Sequence, residues 1–294
     1  MGDDGMAAVA ALPFWQGKID IWPLRGGITN RNYGVAQEDG QRFAVRLGAD
    51  ILQHGVMRFN ECAAAKAAAQ AGISPEVLYT APGVMVTRLL PGRTLRPEEI
   101  RAPHNRRRVV ALLKECHRGA FLRGPLLAFW VFHINRSYAA DLAQAGSRIA
   151  GELPRLSALN DLLERQLGRT EIVFGHNDLL AGNIFDDGAR LWLLDWDYAG
   201  FNSPLFDLAN LSSNNGFSAA EDAALLEEYY GSADAASQQG FLAMKCASLL
   251  REALWSAISE LHSKVEFDYV GYTTEYLGRL DEAVQGLPGA AGLQ

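Results

Sequence analysis

The tetrapeptide Leu89-Leu90-Pro91-Gly92 separates two stretches of chain whose hydrophobic periods differ. A sequence of this kind builds two unlike lobes rather than one uniform layer. Ahead of the tetrapeptide the apolar residues come in short alternating runs. Residues 19–24, 32–36, 42–47, 77–79 and 84–87 read as strands, with turn signals at Glu38-Asp39-Gly40 and Ala81-Pro82-Gly83. The Ala-rich stretch 58–71 reads as the one helix there, with Gly72 as its stop and Pro75 just beyond. After the tetrapeptide the period turns helical over 105–117, 135–149 and 156–167. Short strands follow at 172–174, 184–185 and 191–194, and helix returns over 204–210, 219–230, 241–262 and 269–280. Residues 286–294 read as a frayed tail. The expected fold is α+β. A small lobe over 1–88 carries a five-stranded antiparallel sheet and a helix, 89–92 form a hinge, and a larger, mainly helical lobe spans 93–294.

Composition excludes several classes. With 49% hydrophobic residues in 294, the chain has material for a sizeable core and is no disordered segment. A net charge of −7 argues against binding to nucleic-acid phosphates. Cys62, Cys116 and Cys246 stand far apart and form no disulfide framework, which points to a reducing compartment. Apolar runs such as 125–132 fall well short of the roughly 20 residues a membrane span needs. The opening residues lack a basic secretory n-region, Gly2 is followed by Met6 where a myristoylation signal has Ser or Thr, and Met6 offers an alternative start. The expected location is the cytoplasm, with neither membrane nor nucleic acid as partner.

The chemistry concentrates in Phe174-Gly-His-Asn-Asp-Leu-Leu-Ala-Gly-Asn-Ile-Phe185 and the following Leu191-Trp-Leu-Leu-Asp-Trp-Asp197. Asn183 stands five residues after Asp178, and Asp195 twelve after Asn183. Phosphoryl transfer from ATP needs a carboxylate to hold the attacking hydroxyl and oxygen ligands to hold Mg²⁺ against the phosphates. Mg²⁺ is a hard ion that prefers carboxylate and amide oxygens. Asp178 therefore reads as the base, and Asn183 and Asp195 as metal ligands. The spacing matches the kinase pattern H-x-D-x-x-x-x-N with a later metal-binding Asp.

From these residues the chain resembles the choline/ethanolamine kinase family, within the protein-kinase-like aminoglycoside phosphotransferase superfamily. Asp195-Trp-Asp-Tyr-Ala-Gly-Phe-Asn202 with Asp207 resembles the family's second motif. Leu250-Arg-Glu-Ala-Leu-Trp255 and Val265-Glu-Phe-Asp-Tyr269 resemble its C-terminal substrate segment, and Gly26-Gly-Ile-Thr-Asn-Arg-Asn-Tyr33 its phosphate loop. The resemblance runs from about residue 19 to 280 and implies a bilobal kinase-like fold. On the nucleotide side it implicates Gly27, Thr29 and Asn30 at the phosphates, Arg46 in place of the usual Lys, Glu61 as its orienting partner, and Leu89 and Leu90 at the adenine. For an ammonium-bearing substrate it implicates the aromatic residues Tyr198, Phe201, Trp255, Tyr269 and Tyr272 and the carboxylates Asp197 and Glu252, the groups that recognise such cations. His176 and Asp207 take structural roles, Asp207 bracing the catalytic loop. Animal members carry a second Trp three residues after the first, where this chain has Ile258. That leaves choline, ethanolamine and other amino alcohols open as acceptors. Aminoglycoside or thiamine phosphorylation is the alternative enzyme reading, and a non-catalytic pseudokinase the alternative of another class.

Overall fold

The computed structural model describes residues 3–24, 30–119, 122–123, 125–290 and 293. It opens with α1 (Asp3–Ala10), where the sequence led us to expect only start residues. Met6 and Val9, three apart, turn one apolar face onto the neighbouring sheet; Val9 is fully buried, and its carbonyl accepts the Trp15 indole N–H at 2.6 Å.

The first sheet comprises β1 (Ile19–Pro23), β2 (Arg31–Gln37), β3 (Arg42–Leu47), β4 (Val77–Ala81) and β5 (Val84–Arg88), with α2 (Arg58–Gln70) between β3 and β4. Strand order is β1-β2-β3-β5-β4, with every neighbouring pair antiparallel. Alternation places Tyr33, Val35, Phe43, Val45 and Val86 on one inner face, a small core closed by α1. The Ala64, Ala65 and Ala68 face of α2 turns away from it and joins the main core.

Residues 89–92 lead into β6 (Arg93–Thr94), α3 (Pro97–Arg101), α4 (Pro103–Gly119), α5 (Val131–Ala145) and α6 (Leu153–Leu167). Then come β7 (Val173–Gly175), β8 (Ile184–Asp186), β9 (Leu191–Leu193) and β10 (Gly200–Asn202). Helices α7 (Pro204–Asn215), α8 (Ala219–Tyr230), α9 (Ala235–His262) and α10 (Tyr269–Val284) complete the chain. Strands β6, β8 and β9 form one small sheet, and β10 pairs with β7. The α9 helix is the axis of this part: it packs against α5, α6, α7 and α10, and its side chains are buried nearly all round from Phe241 to Ser259.

Several boundaries differ from expectation, among them the start of α6 at Leu153 and the end of α7 at Asn215. Helix α5 starts four residues early, at Val131, and also ends four residues early, because Gly146 at φ 66° caps it in the left-handed conformation. Helix α9 starts at Ala235 because Asp234 caps it, accepting the Ser237 amide. The tail is not frayed through residue 290: Leu287 and Ala290 are buried in the main core, and Leu293 O accepts from Arg155. Among the described residues no helix is long and apolar enough to cross a membrane.

Candidate active site

The loop between β7 and β8 carries Asp178 and Asn183, and the residues after β9 carry Asp195. The β8–β9 hairpin joins them. With Ile184 paired to Leu193, the residues flanking the pair are adjacent, and Leu194 N donates to Asn183 O at 2.9 Å. Asn183 Nδ2 donates to the Asp178 backbone oxygen at 2.8 Å and to its Oδ2 at 3.3 Å. The loop is held from beneath. Asp207, buried at the start of α7, accepts the amides of His176 (2.8 Å) and Asn177 (2.7 Å) and pairs with His117 Nε2 at 2.9 Å. Burial works against that carboxylate, but the His117 bond holds it below the usual range. His176 is fully buried and reaches Leu194 O at 2.8 Å, tying the loop to the strand end that carries Asp195.

Burial pushes the Asp178 carboxyl up to about 7 against the pull of the Arg251 cation, with Glu252 and Asp197 adding to the rise. Asp195 is raised well above an ordinary carboxyl, by burial first and then by Asp197, Asp178 and Glu61. Its Oδ1 is buried without a hydrogen-bond partner. Crowded carboxylates with an unpartnered oxygen fit a divalent cation, whose charge would reverse both shifts. Among the described residues no three His, Cys, Asp or Glu side chains converge as a metal set. Asn183 and Asp195 could offer an amide and a carboxylate oxygen to such an ion, a donor set that fits Mg²⁺, which takes few protein ligands when phosphates and water complete its shell.

Toward the first sheet stands a buried ion network. Arg46 on β3 meets Glu61 on α2 at 2.6 Å, and Arg58 Nη1 lies 2.8 Å from the same Glu61 oxygen. That Nη1 also reaches Asp197 at 2.6 Å, while Asn30 bridges Arg58 and Asp197 through its side-chain amide. Gly27 and Thr29 lie outside the described residues. Leu89 and Leu90 are half-buried beside β5, the Leu89 amide donating to Arg42 O.

The third group lies on α9 and α10. Tyr272 Oη donates to Glu252 at 3.1 Å, and the Trp255 indole N–H donates to Tyr198 Oη at 2.8 Å. Trp255 faces Tyr269 and Tyr272 at ring-centroid distances of 6.1 and 6.2 Å, and Phe267 adds a ring 5.8 Å from Tyr272. Glu252 is also bonded to Arg251, whose guanidinium lies 4.3 Å over the Tyr198 ring and 3.7 Å from Asp178.

Two residues expected at the acceptor ammonium, one carboxylate and one aromatic, take other partners. Asp197 is held in the ion network by Arg58 and Asn30, because a buried carboxylate is satisfied by the nearest cation. Phe201 sits on β10 opposite Phe174, half out in solvent, where strand register sets its direction. The sequence reading missed Arg58, three residues before Glu61 on one helix face, a spacing that signals a pair. It also missed Arg251, which stands inside the motif already singled out.

Fold and site together define a kinase-like phosphotransferase. The fold is shared with the aminoglycoside phosphotransferase APH(4)-Ia in ternary complex with AMP-PNP and hygromycin B, at a TM-score of 0.70 and 16% identity over 98% of this chain and 100% of that one. Residues 21–243 match the choline/ethanolamine kinase family, and the chain belongs to it. A choline/ethanolamine kinase family protein from Mesorhizobium loti superposes with a TM-score of 0.78 at 28% identity, over 98% of this chain and 96% of that one. A probable ethanolamine kinase of Arabidopsis thaliana is 26% identical over 85% of this chain and 75% of its own length.

Proposed function

We propose that this chain transfers the γ-phosphoryl group of ATP to the hydroxyl of choline, ethanolamine or a similar amino alcohol. The observation that carries the reading is the convergence of Asp178, Asn183 and Asp195 on one hairpin end, with Arg251 linking Asp178 to the Glu252–aromatic group. Asp178 orients the acceptor hydroxyl and takes its proton as the oxygen bonds to phosphorus and the bond to ADP breaks. Asn183 and Asp195 hold Mg²⁺, which when bound neutralises charge on the phosphates. Arg46, fixed by Glu61, faces the nucleotide, with residues 1–88 as the nucleotide lobe and 89–92 as the hinge. Glu252, Trp255, Tyr269 and Tyr272, with Tyr198 behind them, receive the ammonium. The test is ADP release with ATP, Mg²⁺ and a panel of amino alcohols, with kanamycin and thiamine alongside. Turnover of an amino alcohol above the other acceptors is the expected result, and turnover of kanamycin or thiamine alone would overturn the assignment.

A further inference from the structure

Arg251 has an unusual set of contacts for a buried arginine. It lies on α9 at 1% exposure, and its polar contacts run through a single nitrogen. Nη1 bonds to Glu252 Oε1 and lies 3.7 Å from Asp178 Oδ1, whereas Nε and Nη2 are buried without a hydrogen-bond partner. The guanidinium is clamped by ring faces, Tyr198 at 4.3 Å and Phe129 at 5.7 Å, which hold the other nitrogens away from both carboxylates. Leaving donors of a buried cation unmet is costly, and an apolar residue of similar volume would fill this face of α9 at less cost. Glu252 does not need the arginine as its only partner, since Tyr272 already donates to its other oxygen. What the arginine adds is a link between the carboxylate at the acceptor hydroxyl and the carboxylate at the acceptor ammonium.

We propose that Arg251 is a positioning residue that acts as a spacer: through Nη1 it fixes the separation of the Asp178 and Glu252 carboxylates, and that separation selects acceptors whose hydroxyl and ammonium are two carbons apart. This rests on the amino-alcohol reading above. Two carboxylates that share one nitrogen lie within two contact lengths of each other. A two-carbon acceptor reaches both ends without folding, whereas one more methylene must fold its chain to keep the hydroxyl on Asp178 and the ammonium on Glu252, which costs it orientation at the reacting oxygen. The Tyr198 face is already covered by the internal cation, so the substrate cation is left the Trp255, Tyr269 and Tyr272 side of Glu252.

The experiment compares wild type, Arg251→Met and Arg251→Lys on 2-aminoethanol and 3-aminopropan-1-ol, reading kcat and KM for each acceptor and KM for ATP. Wild type should prefer the two-carbon acceptor, and the Met variant should lose about ten-fold or more of that preference through kcat, with KM for ATP unchanged. Lysine, which keeps a cation able to touch both carboxylates from a shorter stem, should restore part of the loss. A Met variant with the wild-type preference overturns the spacer, as does an equal loss on both acceptors accompanied by a raised KM for ATP. Failure of both variants to melt cooperatively makes Arg251 a core ion and also overturns it. A wild type that turns over choline but neither of these acceptors overturns the spacer alone; one that turns over no amino alcohol, choline included, overturns the amino-alcohol reading and the spacer with it.

Discussion

Two residues other than glycine hold a left-handed backbone among the described residues, Asn177 at φ 64° and Asp195 at φ 62°, and each sits in one of the two loops that meet at the site. That conformation costs an ordinary L residue about 1–2 kcal/mol, and Asn and Asp tolerate it because a short polar side chain can bond locally. Asn177 does so by donating to Gly175 O at 3.3 Å, and the same amide reaches Tyr198 O at 3.0 Å and Gly200 O at 3.2 Å, which ties the Asp178 loop to the turn after Asp195. Asp195 gains no such bond on Oδ1, which stays buried without a partner, so the left-handed backbone there is not offset through that oxygen. Asp178→Asn keeps the shape and removes the base, and kcat should fall by about a thousand-fold or more. The nucleotide KM should hold, because the Arg46–Glu61–Arg58 network does not touch Asp178; a kcat within a few-fold of wild type would take Asp178 out of the reaction. Asp195→Asn should instead raise the Mg²⁺ concentration for half-maximal rate, and an unchanged magnesium titration would remove Asp195 from the ligand set.

Helix α2 shows how the elements divide the work. One face brings Glu61 to Arg46, its alanine face enters the main core, and Asn60 joins two chain segments beyond. The Asn60 amide donates to Ala199 O at 2.7 Å, and its oxygen accepts the Leu127 amide at 2.8 Å. Asn60→Ala leaves both backbone groups unpaired near the site and should cost about 2 kcal/mol, read as a lower denaturant midpoint at unchanged slope. No shift in the midpoint would mean that water replaces both bonds freely. Nothing in the sequence marks Asn60 for this, because its partners are backbone groups brought near only by the fold. The elements that sequence periodicity reveals are those long enough to have a period: the five strands of the first sheet, α2 and the long helices. Of the strands of two or three residues, β7, β8 and β9 show as apolar runs between turn residues, whereas β6 and β10 contain too little pattern, as does the five-residue α3. Helix α1 was hidden by its position among residues that read as a start. Asp178, Asn183 and Asp195 were legible because one hairpin joins them at fixed spacing. Arg251 was not, because its meaning lies in reaching Asp178 from a helix far along the chain.

Across the whole molecule, the two regions also meet at His54, in the turn between β3 and α2. Its ring is buried against α9: Nε2 lies 3.0 Å from Ser259 Oγ, and the ring centroid is 5.1 Å from that of Trp255. Its Nδ1 is buried without a partner. Burial, aided by the charges of Arg251 and His262, lowers this imidazole to about 3. The folded protein therefore keeps His54 neutral at pH values where the unfolded chain, with an ordinary histidine near 6.5, takes up a proton. Where the unfolded state binds more protons, stability rises with pH. The contribution is fully present above about pH 6.5 and is lost as pH falls toward 3, at up to about 1.4 kcal/mol per pH unit for the one proton. Other groups titrate over the same range, so the measurement is a difference: denaturant stability of wild type and His54→Gln at pH 7.5, 6 and 5. Gln keeps a polar group for Ser259 but cannot bind the proton, so the stability of wild type should fall more steeply toward pH 5 than that of the variant. Parallel curves would show that His54 ionises freely in the folded protein, and that the contact between the turn and α9 opens easily enough for water to reach the ring.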